Sequence, residues 1–185
     1  AFVFWNPPHW TSNSQGRMDG IAKLDPVHKN LIKENLIHGI EVANELTFSE
    51  EAFEIALENN LTILGTSDIH GISDWLFEIP EGGHRPLTYI LSNDLKQNSI
   101  KKALFMGNTF VWFEDLIAGK EEILSSIIAS NFKVESKGYT GDTALLEISL
   151  TNLSSLPLKL KYIGDYTFHQ YSDFLEVPAK NTVTV

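Results

Sequence analysis

The chain has no cysteine, which excludes disulfides and thiolate metal sites and leaves its redox compartment open. It is short of basic side chains: 14 Lys and Arg stand against 24 Asp and Glu, for a formal net charge of -10. A nonspecific nucleic-acid binder or an anionic-membrane binder needs a basic face, so both are disfavoured. No apolar run approaches the ~20 residues that a membrane helix needs. No signal peptide, internal repeat or low-complexity tract is visible, and nothing in the composition points to a compartment. An initiator Met is missing too. The sequence opens on the strand-like Phe2-Val3-Phe4-Trp5 and closes on Val183-Thr184-Val185. Both ends read as cut, so the expectation is a segment of a longer protein.

What is present is an ordinary globular composition, 43% hydrophobic and 21% charged over 185 residues. That length accommodates one medium domain, or a domain plus a small module. Residues 1 to 5 read as a buried strand that must stop at Pro7 and Pro8, which cannot donate ladder hydrogen bonds. Asp25 and Pro26 predict a helix start, with Val27, Leu31, Ile32 and Leu36 as its apolar stripe. Gly39 to Asn44 reads as a strand. A second helix is expected to open near Thr47, where Glu50 allows a capping box, with Ala52, Phe53, Ala56 and Leu57 inward. Leu61 to Leu64 is a short apolar run of the type that parallel sheets bury on both faces. The resulting β-α-β-α-β order implies a parallel sheet with right-handed crossovers.

Sites in such folds lie at the carboxyl ends of strands. Asn6-Pro7-Pro8-His9-Trp10, Asn44 and the stretch Gly65-Thr66-Ser67-Asp68-Ile69-His70-Gly71 all occupy such ends. Asp68 and His70 are two positions apart. If extended geometry persists beyond Leu64, a carboxylate and an imidazole converge on one point, with Gly71 letting the chain turn away. Both groups can ligate a divalent metal. The competing reading is a turn-capping Asp68 beside a surface His70. Glu41, flanked by apolar residues, needs partners if buried; it either supports a ligand or forms a salt bridge. A long loop, residues 71 to 85, ends in His84-Arg85, which either holds a phosphate or is an ordinary loop pair. Trp75, Leu76 and Phe77 within it form either a lid or an anchor. Further elements follow at 87–91, 99–106, 109–113 and 120–130. From about residue 132 the pattern changes to the alternation of antiparallel strands, at 144–150 and 156–163.

With these elements in order, the chain resembles the carboxyl-terminal half of the PHP (polymerase and histidinol phosphatase) family of metal-dependent phosphoesterases. The likeness rests on Ser67-Asp68-Ile69-His70, matching a family S-D-x-H, and on Gly39-Ile40-Glu41-Val42-Ala43-Asn44, matching G-I-E-V-x-N. The stretches 84–91 (HRPLTYIL) and 103–113 (ALFMGNTFVWF) are similar to one branch as well. The resemblance covers residues 1–132. It implies the later part of a distorted (β/α)7 barrel, TIM-like, followed over 133–185 by a small, incomplete antiparallel β-sandwich module.

The function that this resemblance implies is metal-dependent hydrolysis of a phosphate ester on a small phosphorylated substrate. Asp68 and His70 would be catalytic metal ligands, with Mn, Fe or Zn as the ion. Glu41 and Asn44 would stand behind the ligands, and His84 and Arg85 would bind phosphate. Two positions depart from the pattern. Pro7 fills the slot of a usual ligand histidine, so either His9 serves from two positions later or that ligand is lost. Asn108 stands where an arginine is common. The family's H-x-H, bridging acid and further histidine would lie in an upstream half of the same barrel, so the segment alone is expected to be inactive. Two alternatives remain: a non-catalytic scaffold of the same ancestry, or a nuclease on the same fold.

Overall fold

A computed structural model describes residues 1–10 and 19–185. The chain divides into two compact units, Ala1–Leu124 and Ser125–Val185. In the first, strand β1 (Phe4–Trp5) is followed by helix α1 (Pro26–Lys33), β2 (Gly39–Asn44), β3 (Thr47–Phe48), α2 (Glu50–Glu58) and β4 (Thr62–Thr66). β1 and β4 flank β2, both parallel to it, and β3 returns antiparallel against the end of β2. Every residue of β2 is buried, as expected for a strand covered on both faces. Its Ile40 and Val42 join Ile63 of β4 and Ala52, Ile55 and Ala56 of α2 in the main core.

Two helix expectations change in detail. The stripe of α1 is largely solvated, with Val27 57% and Leu36 50% exposed; Ile32 packs on the core. The cap of α2 is Ser49, whose hydroxyl accepts from the Ala52 N–H at 3.1 Å. Thr47 is thereby left to β3, where it has another task.

The loop after β4 carries a short helix, α3 (Ser73–Leu76), and a 3-10 turn at Ile79–Glu81. Phe77 is buried there while Trp75 is exposed, so the anchor of the loop is Phe77. Then come β5 (Leu87–Ile90), α4 (Gln97–Phe105), β6 (Thr109–Phe113), β7 (Leu116–Gly119) and α5 (Glu121–Asn131). β5, β6 and β7 form a separate antiparallel sheet.

The expected (β/α)7 barrel, TIM-like over residues 1–132, is therefore not formed: the described residues make small sheets with five helices. The reason lies on the outer edge of β4. A barrel must continue its backbone ladder from strand to strand. Here threonine hydroxyls satisfy that edge instead. Thr88 Oγ1 accepts from the Gly65 N–H at 2.8 Å and donates to the Gly65 carbonyl at 2.7 Å. Thr109 Oγ1 donates to the Ile63 carbonyl at 2.7 Å. With those groups satisfied by side chains, β5 and β6 pair with each other and the parallel ladder stops.

In the second unit, β8 (Phe132–Tyr139), β9 (Leu146–Asn152) and β12 (Asn181–Thr184) form one antiparallel sheet. β10 (Leu158–Lys161) and β11 (Phe174–Val177) form a second. Leu150 of the first sheet clusters with Leu175 and Val177 of the second, a sandwich-type core between two inner faces. Asn152, fully buried, donates from Nδ2 to the carbonyls of Leu156 and Val177 and accepts at Oδ1 from Ser154. No helix among the described residues is long and apolar enough to cross a membrane.

Candidate functional site

The parallel pairing of β1, β2 and β4 fixes where their carboxyl ends lie. Trp5 is level with Ile40, while Asn44 is level with Thr66. Asn6, Asn44 and Asp68 therefore leave the sheet at one end.

Glu41 is the buried centre of this end, with no exposed surface. Thr66 Oγ1 donates to its Oε1, and Asn44 Nδ2 donates to its Oε2 at 3.2 Å. Burial pushes its carboxyl above the usual range. Hydrogen bonds from Thr66 and Asn44 pull it back, the Asp68 charge pushes it up again, and a hydrogen bond with Asn6 pulls it down. The partner required by a buried carboxylate is thus a set of neutral donors and not a salt bridge.

Asp68 lies two residues past β4. Its φ is +41°, a left-handed conformation that aspartate tolerates better than most residues. The convergence of Asp68 and His70, 3.3 Å between Oδ1 and Nε2, comes from this reversal and not from continued extension. Gly71, assigned the turn from sequence, does not have a left-handed φ. Both side chains are open to solvent, at 45% exposure for Asp68 and 79% for His70.

His9 sits apart from that pair. The chain turns at Pro7–Trp10, with the Trp10 N–H bonded to the Pro7 carbonyl at 3.3 Å, so the prolines do not carry the ring straight outward. Its Nε2 lies 3.0 Å from Thr47 Oγ1, beside the end of β2. Burial pushes the imidazole below its usual value, against an opposing pull from Glu51. Among the described residues no group of three or more His, Asp or Glu could hold a metal ion. That corrects the expectation of a metal-binding site carried by this segment. Asp68 and His70 are donors of suitable chemistry for a divalent ion, but they are two, and His9 does not complete a set with them.

His84 points both ring nitrogens at main-chain oxygens, Nδ1 at Arg85 and Nε2 at Glu114, each 2.9 Å away. It also packs on Trp112, ring centres 3.8 Å apart. Arg85 beside it is exposed. Sequence reading missed three residues of this end: Asn6, Thr47 and Thr66. Thr66, two positions before Asp68 at a strand end, was the one with a visible signal.

Comparison with known proteins places these features in context. Residues 132–185 match the Ig-like domain family DUF5001, in keeping with the sandwich of the second unit. No curated protein sequence matches the chain. Among solved structures, the chain is similar to a two-domain protein from Bacteroides vulgatus ATCC 8482, described as containing a predicted PHP-like metal-dependent phosphoesterase. The TM-score is 0.82 at 31% identity, covering 98% of this chain and 51% of that one. The chain thus spans about half the length of that protein.

Proposed function

We propose that this chain supplies part of a metal-dependent phosphoesterase centre, with Asp68 and His70 as its donors and the remaining donors outside the described residues. The observation that carries the reading is the Asp68–His70 pair, poised next to a buried Glu41 held by Thr66 and Asn44 at the end of a parallel sheet. The likeness over 98% of the chain to a protein described as containing a PHP-like phosphoesterase supports it. A bound divalent ion (Mn, Fe or Zn) would neutralise phosphate oxygens and acidify a water.

The chain's own contribution is to position groups. Asp68 and His70 hold the ion. Glu41 accepts hydrogen bonds from Thr66 and Asn44, tying the ends of β2 and β4 together so that the donor pair is presented on a fixed base. Arg85 has a planar fork suited to phosphate oxygens. His84 acts beneath it by fixing the main chain, since neither ring nitrogen faces outward. In this reading residues 1–132 belong to the catalytic domain and 133–185 to the appended module.

The test uses the longest natural polypeptide carrying these residues, a generic phosphate ester and added manganese. Asp68→Asn and His70→Ala should each lower kcat/KM by about 100-fold or more, because losing a ligand misplaces ion and water together. The melting temperature should hold, as both side chains are exposed. Full activity in either variant overturns the assignment. A second reading, a non-catalytic scaffold, is favoured by Pro7, which stands where the resembled family has a ligand histidine. That reading requires the wild-type protein to bind no manganese and to hydrolyse no ester.

A further inference from the structure

Lys120 lies apart from the donor pair. Asn60 precedes β4 and Asp68 follows it, so the two mark opposite ends of that strand, and Lys120 belongs to the Asn60 end. Only 7% of the residue is exposed, and lysine is seldom buried so far without a paired charge. Its hydrogen-bond partner is neutral: Nζ donates to Asn60 Oδ1 at 2.6 Å. Gly107 backs the same atom, since a Cβ there would lie 2.7 Å from Nζ. Burial pushes the Lys120 pKa below the ordinary lysine value, against an opposing pull from Glu122. Desolvation favours the uncharged amine, which keeps a lone pair when one of its hydrogens goes to Asn60. Lys120 and Asn60 both line a cavity of about 440 Å³ within the first unit, a volume in the range of small-molecule sites. Phe53 and Leu57 give that cavity an apolar wall, and Glu121 and Glu122 line it as well. An anionic ligand would meet two carboxylates there, so the lining suits an uncharged one.

We propose that Lys120 is a nucleophilic amine in the wall of this cavity and binds a small, uncharged, apolar aldehyde there as an imine. A lysine desolvated in an apolar pocket is an activated nucleophile of this kind. The Nζ lone pair attacks the carbonyl carbon. The carbonyl oxygen then leaves as water with both amine hydrogens, and C=N replaces C=O, so no oxidant or reductant is needed. Phe53 and Leu57 hold the aldehyde's apolar substituent, and Asn60 keeps Nζ in place before the attack. The site does not rest on the phosphoesterase reading above.

The experiment treats the longest natural polypeptide carrying these residues with benzaldehyde and sodium cyanoborohydride, which reduces the imine to a stable benzylamine. Peptide mass spectrometry then locates the labelled lysines, with Lys96, whose side chain is 84% exposed, as the internal reference. Lys120 should be labelled ahead of Lys96. As pH falls from about 9 to about 7, the ratio of the two rates should grow, by up to about tenfold per unit. The charged 4-carboxybenzaldehyde should show a smaller preference for Lys120, and an aldehyde-bearing dextran, too large for the cavity, should label Lys96 first. Leu57→Trp, which fills the cavity from a side chain 46% exposed, should slow labelling at Lys120 and leave Lys96 unchanged. Lys120 left unlabelled, or labelled no faster than Lys96 by benzaldehyde, overturns the inference and leaves the lysine as a strut to Asn60. A rate ratio that does not change with pH, or a dextran aldehyde that labels both residues equally, overturns it as well.

Discussion

Replacing Thr88 with valine tests why the parallel ladder ends at β4. The hydroxyl serves both backbone groups of Gly65, accepting from its N–H at 2.8 Å and donating to its carbonyl at 2.7 Å. Gly65 is buried, so water cannot replace either bond. Valine keeps the shape and removes both partners. A buried polar group left unsatisfied costs about 1–3 kcal/mol, so the pair should cost about 2–5 kcal/mol in the first unit. With a urea slope of about 2 kcal/mol per molar, the unfolding midpoint should fall by roughly 1–2.5 M. Tryptophan fluorescence reports this unit alone, since Trp5, Trp10, Trp75 and Trp112 all lie within Ala1–Leu124. Thr88→Ser restores the hydroxyl and sacrifices only a methyl group, so it should recover most of the loss, within about 1 kcal/mol of wild type. If Thr88→Val shifts stability by less than about 0.5 kcal/mol, the range of ordinary surface changes, hydroxyl closure of the edge is not what holds β5 beside β4.

Three other perturbations probe separate parts of the chain. Because burial raises the Glu41 pKa, the folded state keeps its proton to higher pH than the unfolded chain. Its contribution is present in full below the ordinary value of 4.5 and is lost as pH rises through the folded value; Glu41→Gln should flatten that slope in metal-free protein, as read by stability against pH. Gly107 has φ +69°, and a Cβ there would lie 2.7 Å from Lys120 Nζ, itself bonded to Asn60 Oδ1 at 2.6 Å. Gly107→Ala should therefore cost about 1–3 kcal/mol in a urea titration, against no change for an exposed control. Asn152→Ala orphans the Leu156 and Val177 carbonyls in the second unit and should cost about 2–4 kcal/mol. Hydrogen exchange in β9, β11 and β12 should speed up accordingly while β2 and β4 keep their protection.

Which parts were legible in sequence follows from what leaves a pattern. β2 and β4 are short apolar runs, and the Asp68–His70 pair advertises itself by spacing and by the strand before it. The barrel expectation comes from the family resemblance, and the alternation of strands and helices beside it counts elements without saying which edges pair. The residues that decided the matter, Thr88 and Thr109, act through single hydroxyls on distant backbone groups, and no periodicity reveals that. Thr47 was read as a helix cap because threonine before a charged helix start is a common cap. Ser49 was the better-placed competitor, and Thr47 was left to hold His9. The stripe on α1 had helical spacing, yet spacing does not guarantee a surface to bury it against.

The left-handed backbone of Asp68 narrows the mutational routes open to that position. At a φ of +41°, a side chain that cannot bond locally strains the main chain by about 1–3 kcal/mol, whatever happens to the carboxylate. Asparagine and glycine escape most of that penalty. A lineage that loses the carboxylate should therefore pass first through Asn or Gly and seldom through Ala, Val or Ile. The same asymmetry identifies drift among relatives: Asn or Gly here marks a chain that gave up the charge but kept the turn, whereas a β-branched residue marks one that has rebuilt the loop.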